Sequence, residues 1–154
     1  MATRSKIGIM SLDNTLRGIY CHWDGYPEHA GKILINHYNS EELANKLMDL
    51  GNLSEINPEI GEKHPFGCHE AGLSPCEYDA RWGNHCTAYG RDRGEPDSDA
   101  NHYSSMEEFE RVDMWEEWLY VWHPVDREWK CKPCGETAWT SVKDVLQVRS
   151  EQDD

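Results

Sequence analysis

Cys131 and Cys134 are separated by two residues, which is the spacing of ligand pairs in zinc knuckles. Other thiol and imidazole groups that could complete such a site lie earlier in the chain; they are Cys68, His69, Cys76, His85 and Cys86. The spacing between the two groups matches no standard finger or ribbon, so small buried thiols in ordinary packing are the alternative. The sequence therefore gives no certain cofactor. The cofactor that it suggests is structural zinc, bound by Cys131 and Cys134.

A thiol, an imidazole and a carboxylate also occur together at Cys21, His22 and Asp24, and cysteine nucleophiles use these residue types. Adjacent residues of a strand point to opposite faces, so His22 is poorly placed to activate the Cys21 thiol. A turn in which Asp24 caps the following helix explains the segment better. We therefore predict no catalytic residue and no enzymatic activity.

Two arginines, Arg91 and Arg93, lie in a run bounded by glycines at residues 90–95. Guanidinium groups bind phosphates through paired hydrogen bonds, so the run could hold a phosphorylated small molecule. It lacks the Gly-Lys-Ser/Thr ending of a P-loop, which excludes that kind of nucleotide site. The simpler interpretation is a turn whose arginines pair with nearby carboxylates.

Acidic side chains dominate one stretch of the chain. The formal net charge is −14, and residues 91–128 contain twelve acidic and four basic side chains. Such a field repels nucleic acids and anionic membranes and attracts basic protein surfaces. A solvated helix face that only maintains solubility is the alternative. The candidate partner-binding residues are Asp97, Asp99, Glu107, Glu108, Glu110, Asp113, Glu116 and Glu117.

We predict that the helices and strands that position these residues form one domain over residues 1–150. A short acidic tail follows at 151–154. A chain of 154 residues with seven Trp and seven Tyr can bury one core, and its aromatic content argues against disorder. The sequence contains no run of about 20 apolar residues of the kind that spans a membrane. The N-terminus lacks the apolar stretch of a secretory signal, which favours a cytoplasmic protein.

Local patterns predict an α+β fold, with a small antiparallel sheet and helices packed on one face. Turn formers at 12–15 predict a hairpin. Asn39 or Ser40 begins a helix that stops at Gly51, and Ser104 and Ser105 begin another helix with capping boxes. The predicted order is strands at 6–10 and 16–21, helices at 28–38 and 41–50, a long loop or insertion at 62–85, a strand at 86–89, a short acidic helix after 105, strands at 118–122 and 128–131, and a helix after 141.

The run IYCHWDGYPEHAGKIL at residues 19–34 is distinctive, as are residues 1–9 and 88–95. Together these segments resemble a family of small, mostly uncharacterised proteins from tailed bacteriophages. The resemblance implies an accessory protein made in the cytoplasm of an infected host cell. It transfers no catalytic residue to this chain.

Charge and resemblance together predict a protein that binds and inhibits a host protein. The partner would carry a basic surface, as a nucleic-acid-binding defence enzyme of the CRISPR or restriction type does, and the acidic surface would act like a DNA mimic. We expect no direct nucleic-acid binding and no membrane association. Surplus tryptophans leave self-association open. The alternatives are a protein that sequesters a nucleotide signal and a zinc-stabilised structural phage protein.

Overall fold

A computed structural model describes residues 2–111 and 114–152 of the chain. It begins with a hairpin of β1 (Ser5–Met10) and β2 (Leu16–Cys21). The turn closes with a hydrogen bond from Ser11 N to Thr15 O at 2.8 Å, and Asn14 takes the left-handed conformation that asparagine tolerates. The hairpin lies where the turn formers predict it.

The hairpin belongs to an eight-stranded mixed sheet. The remaining strands are β3 (Leu53–Glu55), β4 (Thr87–Ala88), β5 (Asn101–Tyr103), β6 (Trp118–His123), β7 (Glu128–Pro133) and β8 (Thr140–Ser141). β1 pairs in parallel with β6, and the C-terminal end of β2 pairs in parallel with β3, while the other pairs of strands are antiparallel. The order is β4-β3-β2-β1-β6-β7-β8, with β5 beside the first half of β2.

Short helices connect these strands. They are α1 (Lys32–His37), α2 (Glu41–Leu50), α3 (Cys68–Ala71), α4 (Pro75–Trp82), α5 (Tyr89–Arg93), α6 (Met106–Phe109) and α7 (Val142–Gln152). A π-helical turn at Pro27–Gly31 continues directly into α1. The Ser40 side chain accepts from Leu43 N at 3.1 Å and so caps the start of α2, and Gly51, with a φ of 83°, follows its last residue. None of these helices has the length and apolar character needed to cross a membrane.

The larger core lies between one face of the sheet and helices α1, α2 and α7. Alternation along β1 turns Ile7 and Ile9 to this face, and alternation along β6 turns Tyr120 and Trp122 to it. They pack against apolar side chains such as Leu34 of α1. The aromatic residues of β6 thus lie on this face and its aliphatic residues on the opposite face, because side chains alternate along a strand.

The opposite face of the sheet carries the acidic part of the chain. Phe109 of α6 lies directly on Gly8 and Gly18, where an added Cβ would come within 2.7 Å and 2.8 Å of the ring. Beside it, the buried Lys6 ammonium donates to Phe109 O at 2.9 Å and to Arg111 O at 2.8 Å. These contacts hold the polypeptide after α6 against the sheet.

The predicted α+β class is confirmed, with two differences in detail. The sheet is larger than the small antiparallel one expected, because short strands such as β3 and β5 extend it and two of its pairings are parallel. Helix α6 also packs on the face opposite α1, α2 and α7, because Gly8 and Gly18 leave room for Phe109.

The segment predicted as a long loop at 62–85 contains α3 and α4, and a buried ionic cluster attaches it to the rest of the protein. The side chains of His64 and Asp92 have no solvent exposure and approach to 3.7 Å. The Asp92 carboxylate accepts from His64 N at 3.2 Å, Ala88 N at 2.8 Å and Arg91 Nε at 2.9 Å. This cluster supplies the local attachment that a long segment needs.

Replacing Asp92 with Ala should destabilise the protein by about 3–5 kcal/mol, because Arg91 and two backbone N–H groups lose their buried acceptor. Urea denaturation measures the change in the free energy of unfolding, and limited proteolysis should show new cleavage within 62–85. Asp99→Ala at an exposed position is the matched control. Equal stability of the two variants would contradict the proposed role of Asp92.

Candidate functional site

A groove runs along the sheet face that carries α6. It consists of two adjoining cavities of about 350 and 290 Å³, which share Tyr20, Asn52, Asp97 and Met114 as lining residues. The sheet forms the floor, and the segment before β5 and the segment before β6 form the walls. The size suits a small molecule or a protruding side chain of another protein.

Cationic groups line the groove together with carboxylates. Arg4 donates to Met114 O at 3.2 Å, so its guanidinium is held at the wall. Arg93 pairs with Glu95 at 3.0 Å and lies over the ring of Phe66, 4.6 Å from the ring centroid. About half of the Arg93 side chain stays exposed. The groove therefore offers guanidinium N–H groups beside acidic side chains.

Tyr20 and His22 form a hydrogen-bonded pair in the groove, with 2.7 Å between the hydroxyl and Nδ1. Burial raises the pKa of Tyr20 to about 12. Burial, assisted by the Arg4 guanidinium, lowers the pKa of His22. Both side chains are therefore neutral at pH 7. Their two-residue spacing in an extended segment is the signal that could have identified the pair from sequence.

Cys21, between these two residues, points the other way. It is completely buried in the core on the helix side of the sheet. Burial raises its pKa to about 12, so the thiol stays protonated. The structure thus separates Cys21 from His22, as strand alternation predicts, and Asp24 lies beyond the end of β2.

The eight carboxylates proposed for partner binding have different surroundings. Asp97, Asp99, Glu107 and Glu117 are exposed, whereas Asp113 lies outside the described residues. The other three carboxylates already bind groups of the protein itself, because hydrogen-bond donors or a lysine lie next to them. Glu108 accepts from Ser104 N at 3.0 Å, Glu110 pairs with the buried Lys132 and accepts from Trp139 Nε1, and Glu116 is buried and accepts from Met114 N.

Helix α6 is also too short to carry a continuous row of carboxylates. α6 contains four residues, and Ser105 caps it by accepting from Glu108 N at 3.2 Å. The exposed carboxylates therefore project mainly from irregular segments on either side of α6. Sequence patterning identified the acidic stretch but could not tell its exposed members from its paired ones.

An exposed apolar pair lies within this acidic stretch. Trp115 is 81% exposed and Met114 is 48% exposed. Trp115 has a φ of 64°, a left-handed conformation that is uncommon for a bulky residue and costs free energy. The four tryptophans that follow it, Trp118, Trp122, Trp129 and Trp139, are buried or half-buried. Trp115 is therefore much more exposed than these four tryptophans.

The two arginines proposed as ligand-binding residues do not act together. Arg91 donates to Asp92, to Ile60 O at 2.7 Å and to Cys86 O at 2.7 Å, so the fold uses its guanidinium group. Arg93 lines the groove. One residue of the proposed pair is therefore available to a ligand, with Arg4 as a second cation that the sequence did not indicate.

The cysteines proposed for zinc lie at the end of β7. Cys131 is fully buried in the core, and burial raises its pKa to about 12, whereas Cys134 is half-buried beyond the strand. Within the described residues, the side chains close enough together to hold a metal ion are instead Asp24, His29 and Glu55. Their three candidate ligand atoms lie within 4.8 Å of one another.

Comparisons with known proteins give no family for this chain. No family model matches it, and neither does any curated protein or solved structure. The likeness to phage proteins therefore remains a prediction from the residues that carry it.

The six cysteines should differ sharply in their reaction with iodoacetamide at pH 7. Cys76 is exposed and should be modified first, whereas Cys21, Cys86 and Cys131 are buried with raised pKa values and should be protected. Peptide mass spectrometry measures the order, and unfolding in urea should equalise the rates. Modification of Cys131 as fast as Cys76 would contradict its position in the core.

Proposed function

We propose that the chain is a binding protein that attaches through an acidic face to a basic surface of another protein. The acidic face comprises exposed carboxylates of α6 and of the segments before and after it; they are Glu95, Asp97, Asp99, Glu107 and Glu117. The observation that carries the proposal is the exposed Trp115 within this charged surface. Large exposed aromatic residues are common anchors of protein interfaces.

Charge makes the first contribution to this binding. Asp97, Asp99, Glu107 and Glu117 are exposed and form no ion pair in the two ranges that the structure describes. Their field therefore extends into solvent, where it speeds the approach of a basic surface and disfavours acidic partners. The effect is strongest at low salt, because the Debye length is about 10 Å at 0.1 M ionic strength.

Trp115 makes the second contribution. Its indole can enter a pocket of the partner, and the loss of water from that contact would slow dissociation. In the free protein its side chain is exposed and its backbone is left-handed. Strain at a single residue is consistent with an interaction site, where such conformations are concentrated.

The partner class follows from the sign of the charge. Proteins that bind nucleic acids expose lysine and arginine along the surface that receives phosphates. An acidic protein bound there would exclude the nucleic acid and inhibit its partner. With the resemblance to phage proteins, this supports a host defence enzyme as the target.

A matched pair of triple variants tests the acidic face. The test variant carries Asp97→Asn, Glu107→Gln and Glu117→Gln, and the control neutralises three exposed carboxylates elsewhere with Glu41→Gln, Glu42→Gln and Glu62→Gln. Tagged chains are incubated with a lysate of the bacterial host, and captured proteins are identified and tested for nucleic-acid binding. We expect capture by wild type and the control variant, and its loss with the test variant, with Trp115→Ala and at 1 M salt.

In a competition assay, the wild-type chain must also displace nucleic acid from the captured protein. Equal capture by the two triple variants would contradict the role of the acidic face. Capture of a protein that does not bind nucleic acid would contradict the proposed partner class. The acidic face would then bind basic protein surfaces in general.

The groove supports a second candidate function, the binding of a phosphorylated small molecule. Arg4 and Arg93 could bind phosphate, and the rings of Tyr20 and Tyr89 line the same cavity as the two guanidinium groups. Cavity and cations therefore occur together, which favours the sequestration of a nucleotide. Asp97 could accept hydrogen bonds from sugar hydroxyls.

A thermal-shift series with adenosine monophosphate and inorganic phosphate tests this second function. A ligand that binds the folded state raises the melting temperature, and Arg93→Gln should abolish the rise because it removes an exposed guanidinium from the groove. Arg81→Gln, at an exposed position outside the groove, is the control. An unchanged melting temperature with both compounds, or an equal rise in Arg93→Gln, would contradict this function.

A further inference from the structure

The distinctive motif at 19–34 contains Asp24 and His29, which neither the acidic face nor the groove uses. The fold brings both to Glu55, and one oxygen of each carboxylate and one nitrogen of His29 lie within 4.8 Å of one another. We propose that Asp24, His29 and Glu55 bind one divalent transition-metal ion, zinc or manganese. Imidazole and carboxylate together are the ligand types that these ions accept.

The backbone fixes Asp24 and Glu55 side by side. The pairing of β2 with β3 continues past β2, with hydrogen bonds from His22 N to Leu53 O and from Trp23 N to Ser54 O, both 3.0 Å long. Each proposed carboxylate ligand is the next residue after that last pair, Asp24 after Trp23 and Glu55 after Ser54. Their separation is therefore set by strand pairing.

The turn after Trp23 is tightly constrained. Asp24 has a φ of 54°, which is strained for a residue other than glycine but tolerated by aspartate. Gly25 donates to Thr3 O at 2.8 Å, and a Cβ at Gly25 would lie 2.6 Å from the Ser5 Cβ. No larger residue fits at position 25 without displacing β1, so the backbone of this turn lies tightly against the start of β1.

The His29 ring has a partner that orients it. His29 Nε2 lies 3.0 Å from Ile56 O, and because a carbonyl can only accept, Nε2 carries the hydrogen and Nδ1 keeps a free lone pair. Metal-binding imidazoles in proteins regularly have such an outer partner.

The carboxylates are also placed where a cation would be favourable. Two half-buried carboxylates close together repel each other, and a divalent ion between them would remove that repulsion. All three side chains are only partly exposed, so solvent screens them weakly.

Three protein ligands leave at least one coordination position for water or another molecule. Glu55 also lines a cavity of about 390 Å³ whose other walls include Trp23, Tyr78 and Thr87. This cavity shares no lining residue with either cavity of the groove. The metal site is therefore independent of the proposed partner binding.

Metal titration with His variants tests the site. The full-length chain is treated with a chelator, then titrated with Zn²⁺ and Mn²⁺ by calorimetry, with Mg²⁺ as the comparison ion. We expect one equivalent of Zn²⁺ or Mn²⁺ per chain and a metal-dependent rise in melting temperature. His29→Gln should lose both effects, whereas His102→Gln, at an exposed position on β5, should retain them.

Glu55→Gln and Asp24→Asn keep size and backbone preference, so each should fold and still lose saturable binding. Circular dichroism and the melting temperature of the metal-free chain verify folding. Co²⁺ identifies the ligands, because the proposed site gives a spectrum without the sulfur-to-metal charge-transfer band of a site at Cys131 and Cys134. The proposal would be overturned by a sulfur-to-metal band in the Co²⁺ spectrum. It would equally be overturned if His29→Gln bound metal as well as the wild type, or if the wild type showed no saturable binding.

Discussion

The acidic side of this protein depends on one contact, the Phe109 ring packed directly on the backbone of Gly8 and Gly18. Side chains at those positions would hold α6 away from the sheet, since an added Cβ would approach the ring to within 2.7 Å or 2.8 Å. Full burial of a phenylalanine contributes on the order of 3 kcal/mol. Lys6 secures the following turn by donating to Phe109 O and Arg111 O. Lys6, together with Tyr103, also lines the smaller cavity of the groove, so this contact lies beside the groove.

The sequence was most informative where the signal is local. The β1–β2 hairpin, the capped helix α2 and the last helix α7 were predictable because turn formers, a serine cap and apolar spacing act over a few residues. The parallel pairing of β1 with β6 was not, because no local pattern shows which distant strand β1 will contact. The helices α3 and α4 were missed since short polar helices resemble loops in composition.

The candidate binding sites show the same contrast between local signals and contacts that only the fold reveals. Charge counting identified the acidic stretch, but the partners of Glu110, which are Lys132 and Trp139, come from distant segments. Arg91 and Arg93 look equivalent in sequence, and only the fold shows that Arg91 completes the cluster around Asp92. Asp24, His29 and Glu55 have no diagnostic spacing, because strand pairing and a π-helical turn bring them together.

The pairing of β1 with β6 also has a kinetic consequence. Ser5 lies opposite Trp118, so two adjacent strands near the centre of the sheet come from segments far apart in the sequence. Contacts between residues so far apart close a long loop, and proteins dominated by them fold slowly. During synthesis the hairpin leaves the ribosome well before β6, and one edge of β1 stays unpaired until β6 emerges. The nascent chain therefore carries an open strand edge during that interval.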